Sequence, residues 1–206
     1  DRQLIWARHF LSVADSAEDL AYIRALLDGT EEVPGLAVDT DLRWQMVMTL
    51  ASVGADDEGA LIEVELQRDP TDIGRRRAAS ARASRPTSEA KAEAWRLLLD
   101  ERDLPLATLR SIAGGFHQVG QDELLEPYVA PYFANLRDVW EQRTRDEAIS
   151  LVRGLFPGTL IGSRVLDATD RALADDELPG PLRRILLESK DGMERAVRAR
   201  AADAAG

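Results

Sequence analysis

Hydrophobic residues recur along the chain at intervals of three and four positions, the spacing of one face of an α-helix. In the first segment, Leu4, Ala7 and Leu11 fall on one stripe. No segment alternates apolar and polar residues in the manner of a half-buried strand. The pattern therefore predicts an all-α fold.

Short polar residues, glycines and prolines divide this pattern into successive helices. Ser, Thr and Asp side chains accept hydrogen bonds from the free N–H groups of a first helical turn, so they mark helix starts. The predicted starts are Ser16, Asp39 or Thr40, Asp56, Thr71, Thr87 or Ser88, Thr144 and Ser163. Gly29, Gly54 and Pro70 mark ends. A further helix is expected over 106–116, and a last one after Pro181.

The predicted helices are joined by short connections, which favours antiparallel neighbours. Their spacing is consistent with stacked helix pairs of the HEAT or armadillo type, although no crisp repeated motif recurs. We therefore predict one domain over 1–206, an irregular α-α superhelix. Such arrays form concave surfaces that bind other chains.

The charge balance narrows the classes of partner. The chain has a formal net charge of -11 and a pI near 4.7, which argues against nucleic acid and anionic membranes. It has no apolar run long enough to span a membrane. It contains no cysteine, so a reducing compartment is allowed, and we expect a cytoplasmic location.

Residues that carry chemistry are scarce. The two histidines, His9 and His117, are far apart, and there is no HExxH zinc motif, Walker loop, GxGxxG or GxSxG. His117 is expected at a helix end, and the pairs Asp56-Asp57 and Asp175-Asp176 at helix starts and ends. We therefore assign no catalytic, cofactor-binding or metal-binding residue.

An ordered series of short motifs nevertheless resembles a known family. The series runs from LLDG at 26–29 through GLAVD, LRW and ELQRD, and continues with GGF at 114–116, LLEPYVAPYF and VWEQRT. It is similar to the C-terminal, endoplasmic-reticulum-aminopeptidase-like domain of the actinobacterial aminopeptidase N family of zinc peptidases. The likeness covers about 1–157 and is weaker in the tail. Because the chain begins at Asp1 without Met, we interpret it as a piece of a longer protein that lacks the domain's first helices.

The resemblance implies an all-helical, bowl-shaped domain that covers the active-site chamber, gates peptide entry and contacts the distal part of the peptide. The parent would be a zinc-dependent aminopeptidase, with zinc and the catalytic residues in a separate domain. The expected partners are that catalytic domain and peptide substrates, and the excised fragment is expected to self-associate. A free-standing α-solenoid adaptor that binds another protein is the alternative.

The segment 69–95 has five arginines and Lys91, and two interpretations of it stay open. In the first, Arg76 and Arg77 are solvated, and Arg82 stretches across a neighbouring helix to meet an acidic residue. In the second, Arg75, Arg82 or Lys91 faces the chamber and attracts a peptide carboxylate, which arginine binds at two points.

Two further cations and two tryptophans complete the candidates. Arg43 and Arg110 are further candidates for the peptide-contacting wall. Trp44 and Trp95 lie in apolar helical stripes, so we predict core packing for both rather than contact with a substrate.

Overall fold

A computed structural model of the protein describes residues 2–204, apart from the side chain of Glu58. All regular elements within these residues are helices, so the all-α prediction is confirmed. The chain divides into two compact units, Asp1–Ala94 and Trp95–Gly206, and α6 contains the boundary. The prediction of a single domain over 1–206 stays a prediction.

The first unit contains five helices and the first part of a sixth. They are α1 (Arg2–Val13), α2 (Ala17–Asp28), α3 (Thr40–Ser52), α4 (Ala60–Arg68), α5 (Asp72–Ser84) and α6 (Ser88–Leu99). A single 3-10 turn, Asp57–Gly59, precedes α4. Neighbours in sequence pack together, as α2 does with α3 and α4 with α5, and α3 also packs on α1 and α5. Packing of α3 on both its first and its second neighbours is typical of stacked helical repeats.

α3 supplies the centre of the first unit's core. Leu42, Trp44, Met46, Val47 and Leu50 are almost completely buried there. They pack against buried leucines and isoleucines of α2 and α4 and against small residues of α5. The core prediction for Trp44 is therefore confirmed.

α5 approaches the preceding loop very closely at its first turn. A Cβ atom at Gly74 would lie 1.9 Å from the carbonyl oxygen of Asp69, far inside van der Waals contact. Thr71, the N-cap, accepts a hydrogen bond from the Gly74 N–H at 3.1 Å. Only glycine fits at position 74, and it fixes α5 against the loop.

The second unit contains the end of α6 and six further helices. They are α7 (Leu106–Phe116), α8 (Asp122–Leu125), α9 (Val129–Gln142), α10 (Arg145–Gly154), α11 (Ser163–Leu173) and α12 (Gly180–Asp203), with a 3-10 turn at Glu126–Tyr128. α10 packs on α7, α9 and α12, and α11 packs on α9 and α12. At Gly154 of α10, a Cβ atom would lie 2.8 Å from the methyl of Ala113 on α7, so these two helices nearly touch.

Most of the predicted helix boundaries are confirmed. Ser16, Asp39, Thr71 and Thr144 each cap a helix by accepting a backbone N–H, and α7 spans the predicted residues. Gly29 ends α2 with a φ of 75°, the left-handed conformation that glycine adopts without strain.

Two predicted starts were wrong. Ser163 is the first residue of α11 and not its cap, because Gly162 holds the extended cap position. Asp56 precedes a 3-10 turn instead of starting α4, and its side chain makes no capping hydrogen bond. Its buried carboxylate forms an ion pair with Arg85, which follows the last residue of α5. The first turn of α4 therefore begins only at Ala60.

Candidate peptide-contacting residues

The arginines of α5 join this helix to its neighbours. Arg77 donates to Asp41 on α3 at 2.5 Å, and Arg82 donates to Glu63 on α4 at 2.6 Å. Past the end of α5, Arg85 lies 3.0 Å from the buried carboxylate of Asp56. The interpretation in which Arg82 meets an acidic residue of a neighbouring helix is confirmed, whereas Arg77 is paired rather than solvated.

Arg75 is held locally at the start of α5. Its guanidinium donates to the carbonyl oxygen of Pro70 at 2.7 Å and to the carboxylate of Asp72. The hydrogen bond from Arg75 lowers the pKa of Asp72. Both side chains are exposed, so this pair stands in solvent and contributes little to stability.

Arg43 lies between three helices. Its Nε and NH2 groups donate to the two carboxylate oxygens of Glu65 on α4 at 2.9 and 2.7 Å, and NH1 donates to the Leu27 carbonyl of α2 at 2.8 Å. Glu65 is 2% exposed. Because all three nitrogen groups of Arg43 already have partners, the arrangement fits a packing role.

Lys91, on α6, is completely buried. Its ammonium group donates to the carbonyl oxygen of Ala83, near the end of α5, at 2.8 Å. Burial disfavours the charged form and lowers the pKa of Lys91 to about 8. A buried ammonium of this kind closes a helix end and is not open to solvent.

Arg110 lies in the second unit, whereas the other four candidate cations lie in the first. It stands on the exposed side of α7, and its Nε donates to the hydroxyl of Ser150 on α10 at 3.0 Å. Within residues 2–204, no carboxylate forms an ion pair with Arg110. Of the five candidates, Arg110 is the one whose described hydrogen bond goes to a neutral side chain.

Three aromatic rings pack together in the second unit. The ring centroids of Trp95 and Tyr128 are 5.0 Å apart, and those of Trp95 and Phe116 are 5.8 Å apart. Phe116 is fully buried and Trp95 is half-buried, so they form packing contacts. His117 follows Phe116 at the end of α7 as predicted, and His9 is exposed on α1.

Two buried polar contacts had no signal in the sequence. The indole N–H of Trp44 donates to Asp69 at 2.9 Å, and Asp69 also accepts the hydroxyl of Thr71 at 2.6 Å. Arg143 donates to carbonyl groups at the end of α6. The Asp-Pro-Thr sequence marks a helix start, but it does not indicate that Asp69 accepts a hydrogen bond from a tryptophan 25 residues away.

The described residues do not bring together a set of metal ligands. In 2–204, no group of three or more His, Asp or Glu side chains is placed to hold a metal ion. These residues therefore do not fit a zinc site. No helix of the described part is long and apolar enough to cross a membrane.

Comparison with known proteins adds a family likeness. The sequence model of the ERAP1-like C-terminal domain matches residues 2–195. Aminopeptidase N of Streptomyces lividans is 47% identical to the chain over 205 residues. That alignment covers 100% of the chain but 24% of the relative, so the chain spans about a quarter of the length of the protein that it matches.

Proposed function

The chain belongs to the family of ERAP1-like C-terminal domains, and from that premise we propose that it acts as the non-catalytic C-terminal domain of a zinc aminopeptidase, which covers the active-site chamber and gates peptide entry. The match over residues 2–195, with 47% identity to an aminopeptidase N, carries the proposal. In it, the parent enzyme removes N-terminal residues from peptides in the cytoplasm, and its zinc lies in the catalytic domain.

The proposed role is one of access and positioning. A cover over the chamber admits peptides and unfolded tails and excludes folded proteins, and its movement couples peptide binding to turnover. The partners of the chain are then the catalytic domain of the same parent and the peptide substrate. Self-association of the isolated chain follows if surfaces that the catalytic domain covers are exposed.

Arg110 is the cation best suited to contact a peptide. It is exposed, and its described partner is the neutral hydroxyl of Ser150. Arg43, Arg75 and Arg82 are already paired with carboxylates, and Lys91 is buried. A peptide carboxylate would have to displace a partner at those four positions but not at Arg110.

A chimera tests the proposal. This chain would replace the matching quarter of the Streptomyces lividans aminopeptidase N, and release of the N-terminal residue would be compared for a short peptide and for a folded protein with the same N-terminus. We expect the chimera to cleave the peptide and spare the folded protein, and an enzyme without this quarter to lose that discrimination. If the chimera and the shortened enzyme treat both substrates alike, the gating role is wrong.

The same chimera tests Arg110. Arg110→Gln should raise KM for the peptide by about threefold to tenfold with little change in kcat, because a contact remote from the reacting bond contributes to binding. The matched control is Arg75→Gln, which removes an exposed arginine that already has a carboxylate partner. Equal KM values for the two variants would contradict the assignment to Arg110.

A further inference from the structure

A groove of the second unit lies where α9 ends, along α10 and beside the start of α12. Eight residues line it, among them three large apolar residues and three arginines: Trp140, Ile149, Ile185, Arg145, Arg153 and Arg184. Ile185 is buried, Trp140 and Ile149 are half-buried, and the three arginines are exposed. The groove thus combines an apolar floor with a cationic rim.

The register of α10 places the rim. Arg145, Ile149 and Arg153 are separated by four residues each, so they follow one another along the same face of the helix. Arg145 is the first residue of α10, where a positive charge is disfavoured by the helix dipole. The same turn also contains Asp146 and Glu147, but neither of them lines the groove. An anion bound in the groove beside Arg145 would therefore add a favourable charge contact.

Charge in the groove is not balanced by the groove's own residues. Arg153 and Arg184 both pair with Glu188, at 2.9 and 3.1 Å. Within residues 2–204, no carboxylate forms an ion pair with Arg145. Among the described residues, Arg153 and Arg184 therefore share one acidic partner and Arg145 has no such ion pair, in a chain whose net charge is -11.

The start of α12 adds to the positive potential. Pro179 offers no side-chain cap, and the first turn contains no acidic residue. Gly180 and Pro181 of this turn line the groove. The positive end of this 24-residue helix therefore lies beside the arginines.

We propose that this groove binds an acidic peptide segment of another protein, with one large apolar side chain against Trp140 and carboxylates on Arg145, Arg153 and Arg184. The half-buried floor suits an apolar side chain, and the arginines suit carboxylates that flank it. Nucleic acid fits less well than a short acidic peptide. A longer polyphosphate would extend beyond the groove, where a chain of net charge -11 repels it. This proposal is independent of the gating role.

The test measures binding of a fluorescent peptide, with one phenylalanine flanked by glutamates, to the full 206-residue chain. Fluorescence anisotropy should show saturable binding, and Arg145→Gln should weaken it by about fivefold. Glu188→Gln should strengthen it by about threefold or more, because it removes the carboxylate that competes for Arg153 and Arg184.

The control is Arg195→Gln on α12, which removes an exposed arginine that pairs with Asp191 outside the groove lining. It should bind the peptide as the unmodified chain does. Because Glu188→Gln is expected to strengthen binding, misfolding of a variant cannot imitate the full pattern. Circular dichroism of each variant confirms its helix content.

Three outcomes would overturn the proposal. The first is no saturable binding by the unmodified chain, or binding that neither Arg145→Gln nor Glu188→Gln changes. The second is equal binding of a peptide with glycine in place of phenylalanine, which would show that the apolar floor does not contribute to binding. The third is equally tight binding of single-stranded DNA of the same charge, which would make the groove a general anion site.

Discussion

Arg143 donates a hydrogen bond to the carbonyl oxygen of Leu99 at 2.8 Å, at the C-terminal end of α6. The same guanidinium donates to the carbonyl oxygens of Leu98 at 3.1 Å and Glu101 at 2.8 Å. The last carbonyl groups of a helix have no partner within it, and a cation there also complements the helix dipole. One buried side chain, distant in sequence, therefore closes α6.

Replacing Arg143 by methionine should reduce the free energy of unfolding by about 2–4 kcal/mol, because the carbonyl groups lose a buried charged donor. Urea denaturation followed by circular dichroism measures the loss. Arg195→Met is the matched control, since Arg195 is an exposed arginine of α12. A loss no larger than that of the control would contradict the capping role.

The pair of Arg43 and Glu65 should show strong coupling. Glu65→Leu alone leaves the guanidinium of Arg43 partly buried without its carboxylate, and we expect a loss of about 3 kcal/mol. The double variant Arg43→Met with Glu65→Leu should recover most of this loss, because a buried ion pair can often be replaced by apolar residues. A double-mutant cycle in urea tests this, and simple additivity of the two single changes would refute the coupling.

Asp69 should make part of the stability sensitive to acid. Hydrogen bonds from the Thr71 hydroxyl, and then from the Trp44 indole, lower the pKa of Asp69 below its usual value of 3.8. A carboxyl whose pKa is lower in the folded state stabilises above the unfolded pKa, and this contribution is lost as pH falls through the folded pKa.

Trp44→Phe removes one of these donors and should cost about 1–3 kcal/mol at neutral pH. The difference from the unmodified chain should shrink as pH falls below 3.8 and through the lower pKa of Asp69 in the folded chain. Unfolding midpoints across this range provide the measurement. Trp6→Phe, at an exposed position, is the control, and a difference independent of pH would contradict the role of Asp69.

Lys91 predicts a dependence of the same sign as that of Asp69, but at alkaline pH. Burial lowers its pKa from 10.5 to about 8, so the unfolded chain binds more protons than the folded chain between these values. Stability should therefore rise as pH increases from about 8 to 10.5, by roughly 3 kcal/mol at most. In Lys91→Met this rise should disappear. Denaturation of both proteins at several alkaline pH values tests it, and parallel curves would show that Lys91 does not titrate as expected.

Helix caps were predictable from the sequence, because they depend on residues close together in the chain. The caps Ser16, Asp39, Thr71 and Thr144 were predicted because a cap acts on N–H groups two or three residues away. Ser163 was placed one residue off, because glycine and serine adjoin there and both are accepted at a cap.

Contacts between distant residues were not predictable in the same way. Arg143 follows α9 with no local mark of the carbonyl groups that it reaches more than 40 residues earlier. The arginines of α5 were recognised as a pattern, but Asp41 and Glu63 became identifiable as partners only once the packing of α3 and α4 was known. The cationic groove likewise depends on how α9, α10 and α12 meet.

Gly74 also affects which acidic residues the arginines of α5 can contact. A shift of α5 by one residue would turn its side chains by about 100° and carry Arg77 and Arg82 away from their acidic partners. Because Gly74 has no side chain, the first turn of α5 packs directly against the Asp69 carbonyl in one register. A larger residue at position 74 would clash with this carbonyl and prevent that packing. The choice of partner for each arginine is thus decided by steric exclusion at the first turn, and the charges then act on an alignment that is already set.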